Sequence, residues 1–242
     1  MRRLLPDPGD LDDAALVEAY RLPSGRSLRV NFVVSLDGAV AVEGRSGALG
    51  SPGDRRIFRV LRALADVVLV GHGTAAAEGY RAVAADSPVG RLRSELGRPA
   101  TAPIAVVSRR ASLDPASGLV TDAVSPTLLV TCESVDADRR AALTAAGVVV
   151  LVCGEDDVDL PLALDRLAEL GIEQVLCEGG PALLRAALAA GVVDELDLSI
   201  SSSLVGTAPR LLDGPLPGVV RSKLRQVLEE DGTLFNRYAV DR

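Results

Sequence analysis

The sequence predicts an α/β protein whose central sheet is mixed but mainly parallel, flanked by helices and completed by a C-terminal antiparallel hairpin. Short, wholly apolar runs such as IAVVS (104–108) and TLLVT (127–131) alternate with helix-like segments. Continuous apolar strands are typical of a parallel sheet that helices cover on both faces. The end of the chain differs, because KLRQVLEEDGTLFNRYAV (223–240) contains two strand-like runs joined at Asp231-Gly232, which predicts a hairpin.

The start of the chain predicts an N-terminal extension over residues 1–27, followed by a single α/β domain over residues 28–242. Within the extension, LDDAALVEAY (11–20) is a candidate short helix. The domain opens with an apolar, β-branched strand from Leu28 to Val34. We find no linker-like stretch that would divide the domain and no internal repeat.

The next elements alternate between helix and strand. Pro52 suits the first turn of a helix that continues through RRIFRVLRAL (55–64). ADVVLVG (65–71) follows as a buried strand that enters a glycine turn and a second helix. The polar segment 86–103, which carries Pro and Gly, is expected to be an excursion on the surface.

The second half keeps the same alternation. SVDADRRAALTAAG (134–147) predicts a helix with Ser134 as its N-cap and Gly147 just past its end. Strand, helix and strand then follow as VVVLV (148–152), LPLALDRLAELG (160–171) and QVLCE (174–178). The late segment DELDLSISSSLVG alternates between apolar and polar residues, as a half-buried strand does.

Composition excludes several classes of partner. The net charge of −7 argues against nucleic acid, because duplex binding depends on Lys and Arg that neutralise phosphates. The chain lacks an apolar run of the roughly 18 residues that a membrane helix needs, and its N-terminus lacks the apolar core of a signal peptide. We therefore expect a cytoplasmic protein that binds neither nucleic acid nor membrane.

Cysteine and histidine usage narrows the chemistry further. Cys132, Cys153 and Cys177 are scattered in or beside apolar runs, so we interpret them as small buried core residues. His72 is the one histidine, which excludes a multi-histidine metal site, and we expect it to be structural. Chemistry carried by a bound cofactor or by carboxylates remains.

Two strand-to-helix turns are the strongest functional signal. VLVGHGTAA (68–76) and VLCEGGPALL (175–184) each place glycines between an apolar strand and a helix. Helix N-termini offer unpaired N–H groups and a partial positive charge, so two such turns could hold the phosphates of a dinucleotide. The first turn departs from G-x-G-x-x-G because Ala76 stands at the third glycine position, which argues against an ordinary Rossmann site. Tight packing of helix on strand is the alternative.

Four segments in order then carry a resemblance: NFVVSLDGAVA, GRSGALGSPGDRR, VVLVGHGTAAAEGYR and VLCEGGPALLRAALAAGVVDEL. Together they resemble the reductase domain of riboflavin biosynthesis over residues 28 to about 206. The resemblance implies a dihydrofolate reductase-like fold and reduction of 5-amino-6-(5-phosphoribosylamino)uracil to its ribitylamino form, with NADPH delivering a hydride to the ribose C1′. It also implies a homodimer and a deaminase supplied as a separate protein, since residues 1–27 are too short to hold one.

The resemblance assigns cofactor contacts to the two glycine turns and their surroundings. Thr74 would contact NADPH, although a plain helix N-cap is the alternative. Arg109 would bind the 2′-phosphate, although an exposed solvated arginine fits equally well. The full set of implied cofactor residues is Val33, Gly71, Gly73, Thr74, Glu78, Ser108, Arg109, Gly179, Gly180, Pro181, Ala182 and Leu183.

The same resemblance implies a substrate site formed by Ser46, Arg62, Arg81 and Glu178. Arginines suit a phosphorylated substrate, and the Glu178 carboxylate would accept N–H groups of the pyrimidine. Glu178 and Asp37 are the catalytic candidates. For Asp37 the alternative is a turn residue of Ser-Leu-Asp-Gly that closes the first strand.

Two rival functions remain open at this stage. A protein of the same fold could reduce dihydrofolate or another pterin-like compound. A non-catalytic nucleotide-binding module would also carry both glycine turns.

Overall fold

A computed structural model describes residues 1–241, which form one sheet of eleven strands surrounded by eight helices. The strands are β1 (Arg2–Leu5), β2 (Gly9–Asp10), β3 (Ser27–Ser35), β4 (Val67–Gly71), β5 (Ile104–Val107), β6 (Leu128–Thr131), β7 (Val149–Val152), β8 (Gln174–Cys177), β9 (Glu195–Ser201), β10 (Ser222–Glu230) and β11 (Thr233–Val240). The helices are α1 (Asp13–Tyr20), α2 (Pro52–Leu64), α3 (His72–Glu78), α4 (Pro88–Glu95), α5 (Gly118–Thr121), α6 (Ala137–Ala145), α7 (Leu160–Glu169) and α8 (Pro181–Ala189).

The strand order across the sheet is β2-β1-β10-β11-β9-β3-β8-β4-β5-β6-β7. Every neighbouring pair from β9 to β7 is parallel, and every pair on the other side of β9 is antiparallel. The predicted fold class is therefore confirmed, including the hairpin of β10 and β11. Its turn lies at Asp231-Gly232, where both residues have positive φ, 51° and 76°.

Strands β4 and β5 are apolar along their length because helices bury both of their faces. On β4, Val67 and Leu69 belong to a core that α7 and α8 cover, whereas Val68 and Val70 belong to a second core beneath α3 and α6. Successive side chains of a strand point to opposite faces, so a strand between two apolar cores carries apolar residues at successive positions.

All three cysteines are buried in these cores and unpaired with one another, as predicted. Burial raises the pKa of Cys153 to about 11 and that of Cys177 to about 12. A thiol with so high a pKa carries almost no thiolate at neutral pH, so neither side chain is a nucleophile.

Residues 1–27 join the same sheet and core. Strand β1 pairs antiparallel with β10, and α1 packs against α2. Asp12 caps α1 by accepting a hydrogen bond from the backbone N–H of Ala15, and Tyr20 at the end of the helix is 1% exposed. The N-terminal segment therefore contributes a strand, a helix and a large buried side chain to the fold.

The polar segment 86–103, expected at the surface, instead contains a helix, α4, that packs against α2. Arg93 of α4 is 2% exposed and donates to backbone carbonyls at the end of α2, at 3.0 Å from Arg62 O and 2.6 Å from Ala65 O. A guanidinium satisfies the unpaired carbonyls of a helix C-terminus and opposes its partial negative charge. Most of the segment is exposed or half-buried, and its one buried charged side chain, Arg93, binds backbone carbonyls.

Helix α6 begins two residues later than its sequence predicts. Asp136, and not Ser134, is the N-cap, because its carboxylate accepts hydrogen bonds from the N–H groups of Asp138 and Arg139. Gly147 lies just past the helix with a φ of 90°, as predicted for a residue that ends a helix.

A buried group of four charged side chains, which sequence patterns did not predict, crosses β3, β9 and β11. Arg29 donates to Glu195 at 2.7 Å and lies 3.2 Å from Asp197, and Arg237 donates to Glu195 at 2.7 Å. Both guanidinium groups lie over the ring of Tyr20. Burial, opposed by the charge of Arg29, raises the pKa of Asp197 to about 7.

Candidate functional site

The two glycine turns meet at one edge of the sheet. Strands β4 and β8 are parallel neighbours, so their carboxyl ends lie side by side and both turns leave the sheet together. The backbone N–H of Gly71 donates to the carbonyl oxygen of Gly179 at 2.7 Å. Two segments more than 100 residues apart in the sequence therefore form one structure at the position where α/β sheets bind ligands.

The glycines of the second turn leave no room for a side chain. Gly179 has a φ of 83°, and a Cβ there would lie 2.5 Å from the ring of Phe32. A Cβ on Gly180 would overlap the hydroxyl oxygen of Thr74. The peptide bond between these two glycines is cis. The backbone thus comes directly against β3 on one side and against α3 on the other.

The helices that follow the turns begin without side-chain caps. Gly71 precedes α3 and Gly180 precedes α8, and neither residue has a side chain that could bond the helix N–H groups. The five helices that are capped by a side chain have as their caps Asp12, Ser51, Ser87, Asp136 and Asp159. The first N–H groups of α3 and α8 are therefore available to a ligand, with the positive end of each helix dipole behind them.

A cavity of about 400 Å³ opens in front of these helix starts. Its walls come from β3, the loop after β3, the first turns of α2, α3 and α8, and the loop after β9. The volume lies within the range of about 300–1,000 Å³ that small-molecule sites have. The lining residues with side chains able to interact specifically are Asn31, Ser46, Asp54, Arg55, Phe58, Thr74, Glu78, Tyr80 and Glu178, and those that contribute mainly backbone or apolar surface include Val33, Gly73, Gly180 and Pro181.

Glu178 lies at the inner end of the cavity in a closed network. Arg62 donates to both of its carboxylate oxygens, from Nε at 2.8 Å and from Nη2 at 2.7 Å, and the Tyr80 hydroxyl donates at 2.5 Å. The side chain of Glu178 is 3% exposed and that of Arg62 15%. The Arg62 guanidinium also lies between the rings of Phe58 and Tyr80, 4.3 Å and 5.2 Å from their centroids.

This network fixes the ionisation states of Arg62 and Tyr80. Burial by itself would lower the pKa of Arg62, but the Glu178 carboxylate outweighs burial and raises it above the ordinary value. Burial, together with the negative charge of Glu178, raises the pKa of Tyr80. Arg62 is therefore a fixed cation and Tyr80 a neutral donor, and Arg62 lies behind Glu178 and not on the cavity wall.

Asp54 is a second acid on the wall, which the sequence analysis did not single out. It occupies the first turn of α2, where the Ser51 hydroxyl accepts its backbone N–H at 3.1 Å. Burial raises the pKa of its carboxyl, although a hydrogen bond from Ser199 and the charge of Arg55 oppose this shift. A raised pKa beside a cavity is typical of an acid that takes part in binding or proton transfer.

Asp37 lies outside the cavity and fastens a loop. Its carboxylate accepts the Ser35 hydroxyl at 2.6 Å and the backbone N–H groups of Val205 and Gly206 at 3.1 and 2.8 Å. These bonds lower the pKa of Asp37 to about 2, with Ser35 contributing most. The same loop supplies Pro209 to the cavity wall, so Asp37 holds that wall in place. This geometry matches the turn-closing alternative.

The remaining predicted residues divide into two groups. Ser46 and Glu78 line the cavity and contact each other, since the backbone N–H of Ser46 donates to Glu78 Oε1 at 2.7 Å. Arg81 is exposed and borders a separate depression beside α5. Ser108 is buried just past β5, and Arg109 beside it is exposed.

Arg109 borders a second, smaller hollow. Its volume is about 220 Å³, and Arg110, Ser134, Asp136 and Arg139 also line it. Arg139 is held there by hydrogen bonds to the carbonyls of Ala111 and Leu113. This hollow lies beyond the carboxyl end of β5, the strand next to β4.

Sequence reasoning missed Asp54, Phe58 and Tyr80. Asp54 and Phe58 stand four residues apart, so both face the same side of α2, and this spacing was a usable signal. Tyr80 directly follows the Gly79 that ends α3, and no local pattern indicated its contact with Glu178, 98 residues later.

Two further features concern metal sites and membrane helices. Among residues 1–241, no cluster of three or more His, Cys, Asp and Glu side chains is arranged to hold a metal ion. None of the helices in that range is both long and apolar enough to cross a membrane.

Comparison with known proteins gives consistent matches. Residues 26–233 match the model of the RibD C-terminal domain. The 2,5-diamino-6-ribosylamino-4(3H)-pyrimidinone 5′-phosphate reductase of Methanothermobacter thermautotrophicus is 31% identical over 207 residues, which cover 85% of this chain and 92% of that protein. The riboflavin biosynthesis protein RibD of Bacillus amyloliquefaciens is 32% identical over 184 residues, 74% of this chain but 47% of RibD.

Among solved structures, a pyrimidine reductase-like protein from Corynebacterium diphtheriae superimposes with a TM-score of 0.78 at 27% identity, covering 90% of this chain and 92% of that one. The fold and the cavity in front of two uncapped helix starts define an α/β protein with a candidate ligand site at the carboxyl edge of its sheet. The chain belongs to the RibD C-terminal domain family. The resemblance read from the sequence is thereby confirmed.

Proposed function

We propose that the protein is an NADPH-dependent reductase of riboflavin biosynthesis that reduces a phosphoribosylamino-pyrimidine to its ribitylamino form. The observation that carries this proposal is the meeting of two glycine turns, with two uncapped helix starts, at one wall of a 400 Å³ cavity. Family membership supports the reaction class, since relatives are named as pyrimidinone phosphate reductases.

The residues of the two turns fit a dinucleotide. Phe32 and Thr74 occupy the positions that side chains at Gly179 and Gly180 would need, so the turn packs tightly against β3 and α3, and Gly180 and Pro181 still reach the cavity wall. The N–H groups of Ala182 and Leu183 in the first turn of α8 would bind phosphate oxygens, and Pro181 has no N–H to leave unpaired. Thr74 and Gly73 at the start of α3 would complete the contact.

The preference for NADPH over NADH rests on the hollow next to β5. Arg109, Arg110 and Arg139 line it together with two acids, Asp136 and Asp156, and Ser108 fixes the end of the strand by accepting the N–H of Ser112 at 3.0 Å. A 2′-phosphate carries about two negative charges, for which guanidinium groups are favourable partners. Arg109 and Arg110 are both exposed there, and Arg109 is the residue that we propose meets it.

The chain itself positions the reactants. A bound nicotinamide cofactor would supply the hydride for a new C–H bond at the ribose C1′, while the bond from C1′ to the ring oxygen would break and that oxygen would take up a proton. The backbone of Val33 on β3 would flank the nicotinamide, and the walls of α2 and the loop at Pro209 would hold the pyrimidine against it. Such positioning is the main contribution that a protein makes to hydride transfer.

The decisive experiment is NADPH oxidation, followed at 340 nm, with the phosphoribosylaminouracil and with the diaminopyrimidinone phosphate. Turnover with either compound supports the proposal, and NADPH binding without turnover of any pathway pyrimidine would refute it. For the cofactor, Arg109→Ala should weaken NADPH about tenfold and leave NADH unchanged. Arg91→Ala, an exposed arginine on α4, is the matched control and should change neither affinity.

We also propose that the protein is a homodimer. Leu36 and Leu204 are 62% and 76% exposed, and the segments that carry them are joined by a hydrogen bond from Leu36 N to Ser203 O. Two large apolar side chains on one exposed edge suit a partner surface. Light scattering would test this: a mass of one chain would contradict it.

A second candidate substrate, dihydrofolate or another reduced pterin, is favoured by the carboxylate of Asp54 on the cavity wall. The same NADPH oxidation assay with dihydrofolate tests it, and the absence of turnover would remove this candidate.

A further inference from the structure

Three acids line the cavity, and their carboxylates are engaged to different extents. Glu178 receives both arms of the Arg62 guanidinium and the Tyr80 hydroxyl. Glu78 receives the backbone N–H of Ser46. The Asp54 carboxylate receives a hydrogen bond from the Ser199 hydroxyl, and a carboxylate has about four acceptor positions. Asp54 thus keeps acceptor capacity that faces the cavity.

The protein holds Asp54 in one orientation. Its backbone belongs to the capped first turn of α2, and a Cβ on Gly50 would lie 3.1 Å from its Oδ2, so the preceding loop packs closely against it. Ser199, its partner, is 2% exposed on β9 and pairs in register with Val33 of β3. The carboxylate is therefore fixed between the start of α2 and the two strands beside the proposed hydride site.

Two kinds of pyrimidine differ in what they present to such a carboxylate. A 2-amino-4-oxopyrimidine has an amino N–H on C2 next to the N–H of N3, two parallel donors that match the two oxygens of a carboxylate. A uracil has a carbonyl at C2, so the same edge offers one N–H between two oxygen acceptors. A carboxylate facing that edge would bring oxygen against oxygen, with one hydrogen bond fewer.

We propose that Asp54 binds the C2–N3 edge of the pyrimidine and thereby selects 2-amino-4-oxopyrimidine substrates over uracils. This specificity rests on the proposed reductase function and names its substrate class. The edge occurs both in the diaminopyrimidinone phosphate and in reduced pterins such as dihydrofolate. Hydrogen bonds to a charged group contribute enough that loss of one should change kcat/KM about ten- to hundredfold.

The test compares kcat/KM for the diaminopyrimidinone phosphate, the phosphoribosylaminouracil and dihydrofolate in the wild type and in Asp54→Asn. The wild type should prefer a 2-amino compound to the uracil by at least about tenfold. A carboxamide pairs one donor with one acceptor and so matches the adjacent N–H and carbonyl of uracil. Asp54→Asn should therefore shift the preference toward the uracil by about ten- to hundredfold, with NADPH affinity unchanged.

Asp54→Glu and Glu169→Gln complete the set. Asp54→Glu keeps two carboxylate oxygens and should keep the preference at a lower rate, and it replaces Asp54→Asn if the amide variant does not fold. Glu169→Gln alters an acid whose side chain is 61% exposed and should leave all three values unchanged. A wild type that prefers the uracil, or an Asp54→Asn variant that lowers all substrates equally, would overturn the proposal.

The outcomes also separate this proposal from the reductase function. Turnover of the uracil alone would support the reductase and refute selection by Asp54. Preference for dihydrofolate over the pathway pyrimidines would support selection by Asp54 with a pterin as the source of the edge. If none of the compounds is reduced, calorimetry measures their binding in the presence of NADP⁺. Tighter binding of the 2-amino compounds than of the uracil, abolished by Asp54→Asn, would support selection by Asp54. Equal binding, or no binding, would refute it.

Discussion

Removing one partner of the buried pair between Arg62 and Glu178 should destabilise the protein strongly. In Glu178→Leu the Arg62 guanidinium, 15% exposed, loses both carboxylate oxygens, and the Tyr80 hydroxyl loses its acceptor. An uncompensated buried charge of this kind costs about 3–5 kcal/mol. Folded domains have about 5–15 kcal/mol in total, so this loss would remove at least about a fifth of the stability.

Replacing both partners should restore most of that loss. In Arg62→Met with Glu178→Leu, apolar side chains of similar volume fill the space between Phe58 and Tyr80 and no charge is buried. Exchanges of this kind leave stability within about 1–2 kcal/mol of the wild type, because the desolvation cost of the pair disappears with its attraction. The Tyr80 hydroxyl still lacks its acceptor, which sets a remaining cost of about 1 kcal/mol or more.

Urea unfolding of the wild type, both single variants and the double variant gives the coupling energy directly. Arg166→Met is the matched control, because Arg166 pairs with Glu169 at 50% and 61% exposure and such pairs contribute about 0.5 kcal/mol or less. A cost below about 1 kcal/mol for Glu178→Leu, or a double variant as unstable as the two single losses added together, would refute the reasoning.

Three further outcomes follow from the structure. Gly180→Ala should lower the free energy of unfolding by about 1–3 kcal/mol, because the added methyl group overlaps Thr74. Adding Thr74→Ala should recover part of this loss in urea unfolding. Equal losses with and without Thr74→Ala would contradict the overlap. The pKa of Asp197 is raised to about 7, so the folded state holds a proton that the unfolded state releases near pH 4. The free energy of unfolding should therefore fall as the pH rises from 4 to 7, by up to about 1.4 kcal/mol per pH unit. Asp197→Asn should remove this slope in unfolding measurements across that range. The pKa of Asp37 is lowered to about 2, so its stabilising contribution is complete above pH 4 and is lost as the pH falls through 2. Asp37→Asn should weaken the hydrogen bonds to Val205 and Gly206 and speed proteolysis of that loop at pH 7. An unchanged cleavage rate would show that Asp37 does not hold the loop in place.

Much of the fold was predictable from local pattern. Strands β4 and β5 are apolar runs because helices bury both of their faces, and such runs predict strands of a parallel sheet. Turn chemistry placed the hairpin at Asp231-Gly232, since few residues tolerate positive φ. For the segment 86–103, local pattern predicted a surface excursion and missed α4. An arginine such as Arg93 is usually exposed, and its burial is explained only by its backbone carbonyl partners.

The candidate site was predictable in part. Both glycine turns were visible in the sequence, and their contact follows from β4 and β8 being parallel neighbours. The family resemblance placed Arg62 and Glu178 in one site, but their direct pairing and the contact of Tyr80 were not predictable, because these residues lie 116 and 98 positions from Glu178 and no short-range pattern joins them. For Asp37 the sequence left a catalytic role and a turn-closing role open, and the structure adds hydrogen bonds from its carboxylate to the loop at Val205 and Gly206, a contact that no local pattern indicated.

By itself the sequence determined the alternation of strands and helices, the two glycine turns and the kind of ligand that such turns suit, because each depends on neighbours within a few residues. The tertiary structure alone decided which carboxylates line the cavity and which groups each of them binds: Glu178 pairs with Arg62, and Asp37 binds a loop. Burial, hydrogen-bond partners and charge at those positions come from residues distant in the chain, and the three-dimensional arrangement is what brings them together.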